Sequence, residues 1–232
     1  EIDDVAIAAP LTKYSATITD GDRINEFVDR AYKIATNGYP GAVHLSLPVD
    51  LMFSSFPEDA GRQERPFDLT SQAPSRAWPD PSRLEIVLKK LEAASRPVLI
   101  GGHGVWWSCA EAYLEEAGRT LGIPVFNIPY HQKLLGEESE AYMGLADVHQ
   151  YHPSADAFSE SDLVLMVGAR LDNQMNFGNA PLFPDTTELV CINGSHEEID
   201  FNRAADFTLL SDPSAFLKAL ITLSDSPNFI VY

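Results

Sequence analysis

The sequence predicts a doubly wound α/β fold, in which helices cover both faces of a parallel sheet of about six strands. Two features of the 232 residues carry this prediction. Segments typical of strands and of helices alternate along the chain, and the strand segments are continuous apolar runs. Such runs are typical of strands that are buried on both faces, and right-handed βαβ connections then wind the strands into a parallel sheet.

Residues 1–52 are predicted to hold a strand–helix–strand remnant of another α/β domain. The helix spans residues 23–35, where apolar side chains recur on one face. A breaker at 37–40 ends the helix, and the strand at 42–47 follows and is closed by Pro48. Three elements are too few to form a domain alone.

Residues 53–80 are predicted to be a linker, because they are rich in proline, serine and charged residues and have no apolar period. Residues 81–232 are predicted to form a second α/β domain, similar to nucleotide-binding domains. Its expected elements are a helix with Ser82 as N-cap, a strand at 97–100, a helix through 110–121, a strand at 123–128, an irregular segment with Gly136 and Gly144, a helical turn at 155–159, strands at 163–167 and 188–192, a short helix at 195–201, a strand at 207–210 and a helix at 213–223.

Arg170 lies just beyond the strand at 163–167, which breaks at Gly168. In an open α/β sheet, ligands bind in the crevice outside the carboxyl ends of the strands. Gly168 lets the backbone approach a ligand closely, and arginine pairs with phosphate. The alternative is that Gly168 only makes a turn and that Arg170 is a solvated surface charge.

A glycine-rich turn follows the strand at 97–100 and contains Gly101, Gly102 and Gly104. Backbone N–H groups and the positive end of a helix dipole meet there, which suits a phosphate or pyrophosphate group. The turn is neither a GxGxxG fingerprint nor a Walker loop, because no Lys-Ser/Thr pair follows it. Glycines at a strand–helix junction also serve tight packing, so both interpretations stay open.

Composition argues against several classes of partner. A formal net charge of −18 disfavours nucleic acids and anionic membranes as partners, and no apolar run is long enough to span a bilayer. Cys109 and Cys191 offer neither a disulfide framework nor a metal knuckle, so the cytoplasm is the expected location. His131, His149 and His152 lack further ligands and a proline interrupts their segment, so no metal site is predicted.

Five segments in collinear order resemble thiamine diphosphate-dependent enzymes of the acetolactate synthase, benzaldehyde lyase and 2-hydroxyacyl-CoA lyase group. They are DVAIAAPLTK at 4–13, PGAVHLSLPVD at 40–50, RPVLIGG at 96–102, GIPV at 122–125 and SDLVLMVGAR at 161–170. The resemblance implies that residues 1–52 are the carboxyl-terminal part of a pyrimidine-binding domain and that residues 81–232 are a central domain. It also implies an enzyme that acts on 2-keto acids or 2-hydroxyacyl-CoA and assembles as a homodimer or homotetramer.

The same resemblance implies that the enzyme uses thiamine diphosphate and Mg²⁺. The family's catalytic glutamate would lie upstream of Glu1, and its magnesium- and diphosphate-binding segment beyond Tyr232. No catalytic residue and no metal ligand is therefore assigned in these residues, and we expect the chain alone to be inactive.

In several relatives the central domain also binds FAD or ADP. By position, the resemblance implies nucleotide contacts from Gly101, Gly102, Gly168, Arg170, Asn193 and Asp212. The chain departs from the family at residues 193–195, where Asn-Gly-Ser replaces the common Asp-x-Asp and removes two carboxylates. Three interpretations remain: a central domain that binds a nucleotide or is vestigial, a self-standing nucleotide-binding module of the electron-transfer flavoprotein or NAD-dependent deacylase kind, and a purely structural domain.

Overall fold

A computed structural model describes residues 2–55, 75–129, 134–147, 149 and 152–224. The chain divides into two compact units, Glu1–Ser75 and Arg76–Tyr232. The predicted linker at 53–80 spans the boundary between the units, and most of it lies outside the described residues. The proposed domain boundaries stay predictions.

The first unit is built around two parallel strands that a helix connects. Its elements are α1 (Asp4–Ala8), β1 (Tyr14–Thr17), α2 (Ile24–Thr36), β2 (Val43–Ser46) and α3 (Val49–Met52). The two strands pair from Tyr14↔Val43 to Thr17↔Ser46, which confirms the predicted strand–helix–strand arrangement. Lys13 Nζ donates to the carbonyl oxygens of Asn37 and Tyr39, both at 2.7 Å, beyond the end of α2.

The first unit buries few side chains. Among its described residues, those classed as buried are Ile18, Gly21 and Ala31. Every residue of β1 and β2 is partly exposed. The described part of this unit therefore has a small apolar core, as is typical of two paired strands.

The second unit is a six-stranded parallel sheet with helices on both faces, as the sequence predicts. Its elements are α4 (Pro81–Ala93), β3 (Pro97–Gly101), α5 (His103–Trp107), α6 (Glu111–Leu121), β4 (Val125–Asn127), β5 (Tyr142–Leu145), α7 (His152–Glu160), β6 (Leu163–Val167), β7 (Glu188–Asn193), β8 (Phe207–Leu210) and α8 (Pro213–Ser224). The strand order is β5-β4-β3-β6-β7-β8. The winding therefore reverses between β3 and β6, at the centre of the sheet.

Successive side chains of each central strand pack into different cores. Val164 and Met166 of β6 join a core that contains Phe158 of α7, whereas Leu163 and Leu165 join the core formed with α4, α6 and α8. Phe158 is fully buried and its ring stacks on Phe183, with 5.2 Å between ring centres. Burial on both faces is the physical reason for the continuous apolar runs in the sequence.

Three details differ from the sequence-based expectations. Helix α4 is capped by Asp80, not Ser82: Asp80 Oδ1 accepts from the backbone N of Ser82 at 2.9 Å and of Arg83 at 3.1 Å. Pro81 can then start the helix, because the first turn does not need its missing N–H group. The helix expected through 110–121 is α6, and a separate short helix, α5, precedes it; Cys109 between them has a φ of 53°.

The irregular segment expected around Gly144 contains the edge strand β5. Its pairing with β4 shifts register between Val125 and Phe126, and Gly144 has a φ of 128°. Met143 in this strand is 51% exposed. The run Tyr142–Leu145 is apolar, but it contains Gly144, and glycine is depleted in strands, so the sequence signal for β5 is weak.

Candidate functional site

The loops that follow β3, β6, β7 and β8 lie on the carboxyl edge of the sheet. The sheet reverses its winding between β3 and β6, and ligands bind at such a switch point in open α/β folds. The turn at Gly102 and the turn at Gly168 lie against each other there, and Asn193 is bonded through its backbone oxygen to Ser211 N at 2.9 Å, next to Asp212. The fold thus brings the predicted site residues to one edge.

The two glycine turns at this edge are joined by hydrogen bonds between their backbone groups. Gly102 N donates to Val167 O at 3.0 Å, and Gly104 N donates to Gly168 O at 2.9 Å. A Cβ atom at Gly102 would lie 2.3 Å from Gly168 O, and one at Gly104 would lie 2.7 Å from Gly168 Cα. These glycines therefore allow close packing of two turns, and their N–H groups are already bonded.

Gly101 is the last residue of β3 and not part of the turn. It pairs with Asn127 of β4 and with Val167 of β6. A Cβ atom there would meet the side chain of Leu114, at 2.6 Å. A side chain at Gly101 would therefore point into the core.

Arg170 is held by two residues that follow β7. Its Nη1 lies 3.5 Å from Oε1 of Glu198, and its guanidinium carbon lies 4.9 Å from the centre of the Phe201 ring. The side chain of Glu198 is only 11% exposed, whereas that of Arg170 is 44% exposed. Burial raises the pKa of Glu198, and the positive charge of Arg170 acts in the opposite direction.

Asp172, two residues past Arg170, is a further carboxylate near this arginine. Its Oδ1 accepts from Gln174 N at 3.1 Å, at the start of a 3-10 helix, Asn173–Gly178. Burial raises the pKa of Asp172, while this backbone hydrogen bond and then the positive charge of Arg170 lower it. Neither Asp172 nor Glu198 was expected at this site, because only a tertiary contact distinguishes them from other surface acids.

The last two predicted residues have structural partners. Asn193 is 4% exposed. Asp212 Oδ1 accepts from Ala215 N at 3.1 Å in the first turn of α8 and lies 3.0 Å from Nη1 of Arg76. An aspartate at the start of a helix satisfies N–H groups that have no partner within the helix. Asp212 therefore holds α8 and the segment at Arg76 in place.

The described residues offer no metal centre: no group of three or more His, Cys, Asp or Glu side chains among them is placed to hold an ion. His149 Nε2 is 3.0 Å from Asn173 O, while His131 and the side chain of His152 lie outside the described part. Burial raises the pKa of Cys191 to about 12, so its thiol stays protonated near neutral pH. Within the described segments, no helix is long and apolar enough to cross a membrane.

The carboxyl edge does not fit the diphosphate of FAD or ADP in this conformation. Such a group needs free N–H donors and an unopposed cation. The N–H groups of Gly102 and Gly104 are bonded to carbonyl oxygens, and Arg170 faces Glu198.

A cavity of about 370 Å³, lined in part by Leu91, Pro97 and Leu121, lies at the opposite, amino edge of the sheet. Ligands of open α/β sheets bind at the carboxyl edge instead.

Comparison with known proteins identifies the second unit. The family model described as "Thiamine pyrophosphate enzyme, central domain" matches residues 84–220. The acetolactate synthase large subunit of Cyanidium caldarium is 28% identical over 225 residues, which are 96% of this chain and 38% of that protein. The acetolactate synthase of Mycobacterium leprae is 27% identical over 228 residues, which are 96% of this chain and 35% of that protein.

Solved structures share the fold. Benzoylformate decarboxylase from Polynucleobacter necessarius has a TM-score of 0.76 at 20% identity, over 96% of this chain and 40% of that one. The 4-hydroxybenzoylformate decarboxylase from Rhodococcus jostii RHA1 has a TM-score of 0.76 at 20% identity, over 100% of this chain and 43% of that one. The chain thus spans less than half the length of these proteins. Because the family model covers more than half of the chain and coincides with the six-stranded sheet, the chain belongs to the thiamine pyrophosphate enzyme family and contains its central domain.

Proposed function

We propose that these residues are part of a thiamine diphosphate-dependent lyase, decarboxylase or carboligase that acts on 2-keto acids or 2-hydroxyacyl-CoA. The match of residues 84–220 to the family's central domain carries this proposal. The similarity to acetolactate synthases supports it, because it extends over 96% of the chain and so includes both compact units.

The proposed organisation places the end of a pyrimidine-binding domain at 1–52, a linker at 53–80 and the central domain at 81–232. The parallel β1–α2–β2 arrangement and its small buried core support the first assignment, since this unit needs further strands to be stable. A self-standing module of the electron-transfer flavoprotein or NAD-dependent deacylase kind is less well supported, because it has no use for such a remnant.

The proposed role of this chain is structural. Thiamine diphosphate, when bound with Mg²⁺, supplies the carbanion chemistry of such enzymes. The described residues contribute no metal cluster, and the one described buried thiol, Cys191, is protonated. We therefore propose that the chain holds domains and subunits in position, within a homodimer or homotetramer, and that it has no turnover alone.

A nucleotide in the central domain is the weaker alternative. It would assign cofactor contacts to Gly101, Gly102, Gly168, Arg170, Asn193 and Asp212. The geometry argues against FAD or ADP there, because each of these residues has a structural partner or faces the core. The net charge of −18 supports a small-molecule substrate and not a nucleic acid as partner, and we propose a cytoplasmic location.

The test is the activity of the complete protein encoded by the reading frame that contains these residues. Purified with thiamine diphosphate and Mg²⁺, it should release carbon dioxide from pyruvate or benzoylformate, or cleave a 2-hydroxyacyl-CoA, and the activity should disappear when the metal is chelated. The 232-residue chain assayed in parallel should be inactive. A complete protein that binds thiamine diphosphate but converts none of these substrate classes would contradict the proposed reaction.

A further inference from the structure

We propose that Glu198 acts as an internal anion that occupies Arg170 and closes the crevice at the carboxyl edge against phosphate groups. The inference concerns this crevice alone and does not depend on which reaction the whole protein catalyses. It assigns Glu198 a role that sequence reasoning did not find.

The position of Arg170 is the first observation. This residue follows Gly168 at the end of β6, beside the switch point of the sheet. A cation there is well placed for an anionic ligand. Two contacts fix its guanidinium: the Glu198 carboxylate at 3.5 Å and the face of the Phe201 ring, whose centre is 4.9 Å away. A guanidinium can pair at its edge and stack on its face together, so both contacts act at once.

The burial of Glu198 is the second observation. With 11% of its side chain exposed, this carboxylate has lost most of its contact with water. A buried charge needs a partner of opposite sign, and the ion pair with Arg170 supplies that partner. Glu197 is its neighbour in the 3-10 helix His196–Glu198, but it is exposed and does not need a partner of opposite charge.

The charge balance around Arg170 is the third observation. Arg170 interacts electrostatically with Asp172 as well as with Glu198. Asp172 also interacts with His103, whereas the positive partner of Glu198 is Arg170, so a phosphate that approached Arg170 would meet the negative charge of Glu198. Like charges placed next to each other disfavour binding strongly.

The experiment compares ADP and inorganic pyrophosphate binding to four forms of the 232-residue chain by isothermal titration calorimetry. Glu198→Gln keeps the shape of the side chain and removes its charge. Glu197→Gln is the matched control, because it removes one negative charge from an adjacent, exposed position. Glu198→Gln combined with Arg170→Met removes the cation that would bind the ligand. Thermal unfolding of each form verifies that it is folded.

We expect the unaltered chain and Glu197→Gln to bind neither probe at millimolar concentration. Glu198→Gln should bind at least one of them measurably, about tenfold or more tightly than the detection limit that applies to the unaltered chain, since a like charge has been removed from beside Arg170. The double variant should lose that gain. The proposal is overturned if the unaltered chain binds ADP or pyrophosphate in the micromolar range, a result that does not require any variant to fold. It is equally overturned if folded Glu198→Gln gains no binding, or if its gain persists without Arg170.

Discussion

Replacing Gly102 with alanine should separate the two turns that meet at the centre of the carboxyl edge. Gly102 has extended backbone angles, φ −121° and ψ −169°, which any residue adopts. The obstacle is space, because the new Cβ would lie 2.3 Å from Gly168 O and 2.4 Å from the Cα atom of Ala169. These are backbone atoms and cannot rotate away, so the turns must move apart.

The expected loss of stability follows from the contacts that would break. Forcing extra volume into a packed site lowers the free energy of unfolding by about 1–3 kcal/mol. The displaced turn also weakens the hydrogen bonds from Gly102 N and Gly104 N, each of which contributes about 1 kcal/mol. Alanine also lowers the conformational entropy of the unfolded chain, which raises the free energy of unfolding by up to about 1 kcal/mol. The free energy of unfolding should therefore fall by about 2–4 kcal/mol.

Urea unfolding followed by circular dichroism measures this difference, with Gly194→Ala as the matched control. Gly194 lies at the same edge, but a Cβ there would have its nearest neighbour at 3.9 Å. The control should change the free energy of unfolding by no more than about 0.5 kcal/mol. If Gly102→Ala is as stable as Gly194→Ala, the two turns do not depend on close packing, and the case for a purely structural role of Gly102 fails.

Three further predictions concern other parts of the second unit. Cys109, which is exposed, should react with a thiol reagent at pH 8, whereas Cys191 should react only after unfolding. The native state keeps the thiol proton of Cys191, which the unfolded chain releases near pH 9.0. The free energy of unfolding should therefore fall as the pH rises from 9.0 to about 12. Arg203→Met should lower the free energy of unfolding by about 2–4 kcal/mol in a urea titration, because Arg203 donates to three backbone carbonyl oxygens, at 2.9, 3.2 and 3.3 Å. Asp80→Ala should lower the melting temperature, whereas Asp80→Asn, which can still accept from the first turn of α4, should largely preserve it.

Each of these predictions has an outcome that would contradict it. Two reactive thiols in the folded protein would show that Cys191 is accessible. Arg203→Met must lose more stability than Arg119→Met, since Arg119 is exposed, and equal losses would mean that the three carbonyl contacts contribute little. An Asp80→Asn protein that melts as early as Asp80→Ala would remove the capping explanation.

The strands were predictable wherever a short apolar run rich in branched or aromatic residues is bounded by polar residues or glycine. The bounds of β6 and β8 agree with the expected 163–167 and 207–210. The break at Cys109 between α5 and α6 could not be found in the same way, because its φ is 53° and cysteine is not a residue type that typically marks such a positive angle. β5 escaped prediction because Gly144 lies within its four residues, and glycine is depleted in strands.

The candidate site was predictable in position but not in its chemistry. Strand–turn–helix patterns place Gly102, Gly168 and Arg170 near the carboxyl edge, and the structure brings them there. Which groups satisfy them depends on the loop after β7, whose Glu198 and Phe201 reach Arg170 through the tertiary fold. The sequence pattern identifies Arg170 as a cation near the edge, but it does not show that Glu198 lies beside it.

The strand order also has a consequence for how the second unit folds. β3, the first strand of this unit to be synthesised, lies in the centre of its sheet, and its partner β6 follows only after β4, β5 and three helices. Until residues 163–167 are available, one side of β3 has unpaired N–H and C=O groups, which favour association with other chains. Closing the pair from Pro97↔Leu163 to Gly101↔Val167 therefore joins distant parts of the sequence, and such non-local pairing slows folding. We expect the nascent chain to be most prone to aggregation just before β6 emerges from the ribosome.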